Sequence, residues 1–389
     1  MLRAQLSMAL NERIMREVTS AKLTPQTVAN KEKQKQVKQA YQAEYKTTTV
    51  YRLVKPGCFE AQQAELVLGG GDALIRPTHL SICAADQRYW SGKRDPHALA
   101  QKLPMALIHE AVGEVVEDKS GTFAPGAQVV MIPNRPSAND PDKLSKENYS
   151  RASKFCSSSM DGFMADLVAM PAERLVECNK IPAAAASMTE LLSVCINALE
   201  GFEAARHIQR NSRIGIWGDG AVGFLMALVL RCTYPDARLL LFGTHKSKMA
   251  KFDFVDEKHN VRADFKEGFP SVDHAFECVG GMSGCTNAID QIIECIMPQG
   301  VINLMGVSEE PVPINTRMVL EKGLVLSGNS RSSKQDFEKA VKLEQDEFVL
   351  CHMQSIIAEI FEVSSIADVQ AAFEYDEKHP FKTIMHWNM

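Results

Sequence analysis

The chain has 389 residues, 45% hydrophobic and 23% charged, with a formal net charge of −5. That composition fits a folded protein with room for two domains and excludes a collagen-like, disordered or strongly basic nucleic-acid-binding chain. No apolar run is long enough to span a bilayer, the start lacks the form of a secretory leader, and the ten scattered cysteines lack any C-x-x-C spacing, so a cytoplasmic, membrane-free protein with reduced thiols is expected.

Residues 1–45 read as a helical N-terminal arm or linker. They hold no glycine, the first being Gly57, and Leu6, Leu10, Ile14 and Val18 recur at near-helical spacing. Thr24-Pro25 has the form of a cap followed by a proline at the first helical position, leading into the basic run "KEKQKQVKQAYQAEY". A solvated arm or an interdomain tether satisfies the same pattern.

Residues 46–195 carry short β-type runs, "TTVYRLV", "ALIRPTHL", "AVGEVVED" and "AQVVMI", followed by a polar stretch, 134–159, that reads as a long loop. From about 212 to 330 strands and helices alternate, the pattern of a parallel sheet. The last fifty or so residues mix helix ("KQDFEKAVKLEQ", "SIADVQAAFEY") with a closing strand "FKTIMHW". The expected class is α/β.

The strongest single motif is "SRIGIWGDGAVGFLMALVL". A strand meets Gly218-x-Gly220-x-x-Gly223, and an apolar helix opens at Ala221 and Val222. Such a loop turns tightly, lets backbone approach a pyrophosphate and aims a helix N-terminus at it. The next strand ends "FGTHKSK", with no acid between Ala237 and Phe252. An acid there would hold the ribose diol of NAD; Thr244, His245, Lys246 and Lys248 instead suit the 2′-phosphate of NADP, although a basic solvated loop looks the same. The strand ends "HAFECVGG" (274–281) and "VINLMGV" (301–307) follow, and Cys278, Val279 and Gly280 are placed beside the nicotinamide half.

Three further stretches carry side chains that bind metals. "SICAADQRYW" holds Cys83, "LIHEAVGEVV" holds His109 and Glu110, and "SMTELLSV" holds Glu190 at a helix start. Thiolate, imidazole and carboxylate are good zinc ligands, and three of them plus water leave the open position catalysis needs. Singly, the cysteine reads as a small buried hydrophobe and Glu190 as a cap that compensates the helix dipole.

Taken in order, Cys83-x-x-Asp86, His109-Glu110 before Val112-Gly113-Glu114-Val115, Glu190-x-x-Ser193 and the glycine loop resemble the zinc-dependent medium-chain dehydrogenase/reductase family over residues 48–389. The resemblance implies a GroES-like, partly open β-barrel catalytic domain over 46–195, completed by 332–389, with a Rossmann domain over 196–331 between them. It also implies one catalytic zinc on Cys83, His109 and Glu110, with Glu190 as a fourth or water-mediated ligand. Two departures from that pattern bear on the expectation. The structural-zinc lobe has only Cys156, and Ala85 stands where many members start a proton relay with Ser or Thr, leaving water, Tyr89 or Glu190 to replace it.

Within the family, "SICAADQRYWSGKRD", "LPMALIHEAVGEVV", "VDHAFECVGG" and "NTRMVLEKGLVLSGNSRS" resemble the branch that reduces ribulose 5-phosphate to ribitol 5-phosphate for the CDP-ribitol of teichoic acids or capsules. That implies NADPH as hydride donor, a homodimer, and a cytidylyltransferase as partner or fused domain. Arg88, Lys93 and Arg94 are the cations nearest Cys83 in sequence and the expected readers of substrate phosphate. A zinc polyol or alcohol dehydrogenase acting on an unphosphorylated substrate shares every motif. A non-enzymatic NADPH-binding protein would not need the Cys/His-Glu set.

Overall fold

A computed structural model describes residues 44–389, apart from 138, 141, 143–144, 207–211 and 263–267. Residues 1–43, where most of the expected helical arm falls, lie outside the described residues. Its last two positions are corrected: Glu44 and Tyr45 open the strand Glu44–Lys55, pairing antiparallel with Leu68 and Val67 of Cys58–Leu68. Ladder bonds along this hairpin, with Val50, Tyr51 and Leu53 buried beneath it, outweigh the local helical preference of the basic run.

A larger sheet is built from both halves of the chain. Its order is Leu175–Glu177, Gln128–Met131, Glu110–Asp118, Asp72–Ser81, Lys382–Trp387 and Ile357–Val363, with Val168–Pro171 pairing onto Asp72–Ser81. Lys382–Trp387 runs antiparallel to Asp72–Ser81, so a strand near the C-terminus sits between elements some 300 positions earlier and the strand Ile357–Val363. The polar stretch 134–159 is closed at its base: Asn134–Arg135 pairs with Lys154–Phe155. Inside it a short 3-10 turn, Glu147–Tyr149, offers a carboxylate that accepts from Arg174 (2.9 and 2.8 Å) and from the Lys334 amide (2.6 Å).

The second sheet is parallel. Its order is Glu257–Asn260, Arg238–Gly243, Arg213–Trp217, His274–Glu277, Val301–Leu304, Val325–Gly328. Counted within this sheet the order is 3-2-1-4-5-6, which places the topological switch between Arg213–Trp217 and His274–Glu277, where doubly wound sheets bind dinucleotides. Both flanking strands are wholly buried beyond Arg213, because a parallel sheet covered on two faces needs apolar residues at every position rather than at alternate ones. Trp217 stacks on Phe242 at 3.8 Å between ring centroids, 7° from coplanar. Among the described residues no helix is long and apolar enough to cross a membrane.

The helix Thr189–Ala205 joins the two sheets, and beside its N-terminus lies a fully buried acid, Glu344. Burial pushes its carboxyl well above the ordinary carboxylate range. The neighbouring hydrogen bonds fit a protonated group. The Thr189 hydroxyl lies 2.8 Å from the Ala186 carbonyl and 2.9 and 3.0 Å from the two Glu344 oxygens. The hydroxyl has one proton to donate and three oxygens within reach, the Ala186 carbonyl and both Glu344 oxygens. A group whose folded-state pKa is raised stabilises less as pH climbs from its unfolded value through the folded one. Urea unfolding of Glu344→Gln should therefore show stability gaining on wild type between pH 5 and 9, by on the order of 1 kcal/mol at the alkaline end. A difference constant with pH would mean the acid is charged in the fold.

Candidate active site

Cys83 leaves the strand Asp72–Ser81 and caps the helix Ala84–Trp90, its amide donating to the Asp86 carboxylate at 3.3 Å. Opposite it, Ile108 adopts φ 68°, the left-handed region a β-branched residue rarely enters. That turn lies just before the strand Glu110–Asp118. His109 therefore precedes regular pleating, and the alternation that sends neighbouring side chains to opposite faces does not separate it from Glu110. Gly113 lets this strand lie close to its neighbour, since a Cβ there would sit 2.5 Å from the Arg76 carbonyl oxygen.

Ligand atoms of Cys83, His109 and Glu110 all lie within 4.8 Å of one another. One zinc, with bonds of roughly 2.0–2.3 Å, spans about that gap. The Glu110 carboxylate is fully buried. Its Oε2 accepts from Ser81 Oγ (2.8 Å) and Lys382 Nζ (2.7 Å), while Oε1 is buried without a hydrogen-bond partner among the described residues. Lys382 also donates to the Ile82 carbonyl at 2.7 Å. An orphaned buried oxygen beside a thiol and an imidazole is the donor set a divalent cation satisfies. His109 Nδ1 lies 3.5 Å from Asp86, whose other oxygen accepts from Ser157 Oγ (2.6 Å) and the Ile108 amide (3.1 Å). Burial disfavours the imidazolium, but the charges on Asp86 and Cys83 override it and hold His109 well above its usual value. Burial and the Glu110 charge push the Cys83 thiol up, a tendency a bound cation reverses.

Glu190 opens the helix Thr189–Ala205 and stands outside that trio. Burial, then the Glu110 charge, raise its carboxyl to about 7 against the pull of His109. Tyr89 is buried at 1% exposure and its hydroxyl accepts from Lys102 Nζ at 3.0 Å. Five residues beyond Glu190 on the same helix, the Cys195 thiol meets the Val222 carbonyl at 3.8 Å, linking that helix to the glycine loop.

At the switch point a cavity of about 570 Å³ is lined by Gly218, Gly220, Thr244, Cys278, Val279 and Gly280. A Cβ on Gly220 would meet nothing within 4 Å, so the space above that amide is free for a ligand. A Cβ on Gly223 would lie 2.0 Å from the Gly218 carbonyl oxygen. Ala221, Val222 and Gly223 form the first turn of the helix Ala221–Thr233, and Lys246 and Lys248 lie on the short helix Lys246–Ala250 that His245 caps.

The sequence reading missed two residues of this cleft. Asp219, inside the glycine loop itself, accepts from the amides of Thr244 and His245 (2.7 Å each) and lies 3.2 Å from His245 Nδ1. Burial raises its carboxyl, but those amides and the Lys248 charge offset this and hold it below the ordinary range. The absence of acid along 237–252 is thus made up from another loop, and a 2′-phosphate would have to be met by side chains. Arg262, which also lines the cavity, is one such side chain.

The cations expected to read substrate phosphate have protein partners. Arg88 and Arg94 converge on Glu309, at 3.0 and 2.9 Å, and Lys93 reaches Glu377 at 3.0 Å. Lys382, also absent from the sequence reading, lies 272 positions from Glu110 and leaves no local signal.

Removing one partner of a buried ion pair strands the other. Lys382→Met should lower the urea stability of the metal-free protein by about 3–5 kcal/mol and weaken zinc binding, read by chelator competition, by about 10–100-fold. Lys382→Arg should retain most of both, and unchanged zinc affinity in the Met variant would show that the ammonium does not orient Glu110. Gly223→Ala should abolish NADPH binding in a fluorescence titration, because its Cβ cannot coexist with the Gly218 carbonyl.

Residues 69–182 match the alcohol dehydrogenase GroES-like domain, and residues 183–386 match the glucose dehydrogenase C-terminus. The ribulose-5-phosphate reductase of Bacillus spizizenii is 44% identical over 342 residues, covering 87% of this chain and 98% of that protein. Ribulose-5-phosphate reductase 1 of Staphylococcus aureus is 43% identical over 343 residues, covering 87% and 99%. The crystal structure of S. aureus TarJ in complex with NADPH superposes with a TM-score of 0.77 at 39% identity, covering 88% of this chain and all of that one. Galactitol-1-phosphate dehydrogenase from Escherichia coli, at 16% identity and a TM-score of 0.70, shares the fold.

Proposed function

From its membership of the ribulose-5-phosphate reductase family, within the zinc-type alcohol dehydrogenases, we propose that the chain reduces D-ribulose 5-phosphate to D-ribitol 5-phosphate with NADPH and one catalytic zinc. The observation that carries this reading is the buried Cys83–His109–Glu110 set, with Glu110 Oε1 left open, in a chain that aligns with those reductases over nearly their whole length.

When bound, zinc supplies Lewis acidity at the ketose carbonyl oxygen and NADPH supplies the hydride. Cys83, His109 and Glu110 would hold the metal. Lys382 and Ser81 fix the far oxygen of Glu110, and Asp86 fixes the imidazole. The amides of the glycine loop and the N-terminus of Ala221–Thr233 bind the diphosphate, while Thr244, Lys246, Lys248 and Arg262 supply hydroxyl and positive charge for the 2′-phosphate. With Ala85 unable to relay and the Tyr89 hydroxyl engaged by Lys102, the Glu190 carboxyl is the group that holds a proton near neutrality and hands it to the new hydroxyl oxygen.

The same reading carries a homodimer, a cytidylyltransferase that consumes the product on the way to teichoic-acid or capsule polymers, and a reducing cytoplasm, in keeping with ten unpaired cysteines. The edge strand Val325–Gly328, with Val325 and Leu320 exposed, is the surface offered for pairing two copies.

In an NADPH-oxidation assay, kcat/KM for ribulose 5-phosphate should exceed that for D-ribulose by about a hundredfold, with NADH a poorer donor than NADPH. Chelator treatment should remove about one zinc per chain and the activity with it. Equal rates on both ketoses would instead mark a polyol dehydrogenase.

A further inference from the structure

With Arg88, Lys93 and Arg94 paired to carboxylates, the phosphate of the substrate still lacks a receptor. Arg331 differs from those three. No ion pair joins it to a carboxylate among the described residues, and its one hydrogen bond from the guanidinium is a long one, Nη1 to Ser153 Oγ at 3.4 Å. The guanidinium lies over the Phe155 ring, 4.8 Å from its centroid, and Phe155 in turn lies 5.5 Å from the His109 ring. One phenyl ring therefore separates this cation from the imidazole of the candidate metal site.

The loop that presents it is held from several sides. Arg331 takes φ 59°, a left-handed conformation that is unfavourable for a residue with a side chain and persists only where the surroundings impose it. Here Asn197 Nδ2 donates to the Arg331 carbonyl (3.1 Å), Asn148 Nδ2 to the Ser330 carbonyl (3.0 Å), and the hydroxyls of Ser193 and Ser332 meet at 2.6 Å. The half-buried guanidinium is thus fixed in place with most of its donors unspent. A planar fork of that kind matches a phosphate monoester.

We propose that Arg331 binds the 5-phosphate of the substrate and sets the preference for phosphorylated over unphosphorylated ketoses. The assignment rests on the reductase reading above, and the experiment separates the two. Wild type is assayed first with ribulose 5-phosphate, D-ribulose and inorganic phosphate as competitive inhibitor. Arg331→Met and Arg331→Lys follow, with melting midpoint and NADPH dissociation constant as checks of the fold. The ratio of kcat/KM between the two ketoses is expected to fall on the order of a hundredfold in Arg331→Met, chiefly through KM for the phosphate ester. Inhibition by inorganic phosphate should weaken in parallel, and the point charge of lysine should restore part of both. Arg331→Lys, which keeps an aliphatic stem on Phe155, carries the same readout should the methionine variant fold poorly. No preference for the ester in wild type overturns the substrate reading itself. A preference that survives loss of Arg331, or one that collapses instead in the Arg88→Ala/Arg94→Ala pair, overturns only the assignment of Arg331.

Discussion

The Glu110 carboxylate is fully buried, and the site is organised by how its two oxygens are treated. One oxygen is tied down by the Lys382 ammonium and the Ser81 hydroxyl, the other has no hydrogen-bond partner among the described residues, and the carboxylate lies beside Cys83 and His109. Two charges cannot be kept out of water cheaply unless each finds the other in good geometry. The sheet supplies that geometry by setting Lys382–Trp387 against Asp72–Ser81, which in turn pairs with Glu110–Asp118. Strand order here is therefore a condition on the chemistry. If Lys382–Trp387 slipped by one residue, the ammonium would turn to the other face and leave the carboxylate without its counter-charge.

One buried apolar cluster runs through both halves of the molecule, with Ile356 and Ile384 packed among Ile214, Phe224 and Phe276, and polar contacts flank it. Glu147 ties the polar stretch 134–159 to Arg174 and to the start of the helix Lys334–Leu343. Arg88 and Arg94 reach Glu309, in the segment after the strand Val301–Leu304. The buried Glu344 carboxyl lies beside the helix that spans both sheets. Polar links of this kind are individually weak where exposed and costly to break where buried.

What the sequence made legible was what short-range spacing encodes. Gly218-x-Gly220-x-x-Gly223 between a strand and a helix announces its turn, because its glycines answer to backbone contacts within the same unit: a Gly223 side chain would strike the Gly218 carbonyl. Cys83, His109 and Glu110 could be read as metal-capable, since residue type alone says so. The parallel sheet was equally plain from the alternation of strands and helices between about 212 and 330. Contacts across long sequence separations left no such trace. Nothing near Lys382 marks it as the partner of an acid 272 positions away. The end of the second strand was read as free of acid, while Asp219, from the loop before it, accepts from the Thr244 and His245 amides there. Arg88, Lys93 and Arg94 were placed near the site by sequence distance, whereas the fold turns them to Glu309 and Glu377. Glu44 and Tyr45 misled for the opposite reason: a helical local preference yields to an eleven-residue strand partner.

Because the strand that carries Lys382 is also the sheet's link between Asp72–Ser81 and Ile357–Val363, the ribosome must have extended the chain some 272 residues past Glu110 before the cradle for the metal can close. Until then the nascent polypeptide exposes the edge of Asp72–Ser81 and keeps Glu110 without its ammonium. Pairings that close loops of nearly three hundred residues form slowly. The wait before Lys382–Trp387 docks is therefore when newly made molecules are most open to capture by chaperones or to pairing with one another.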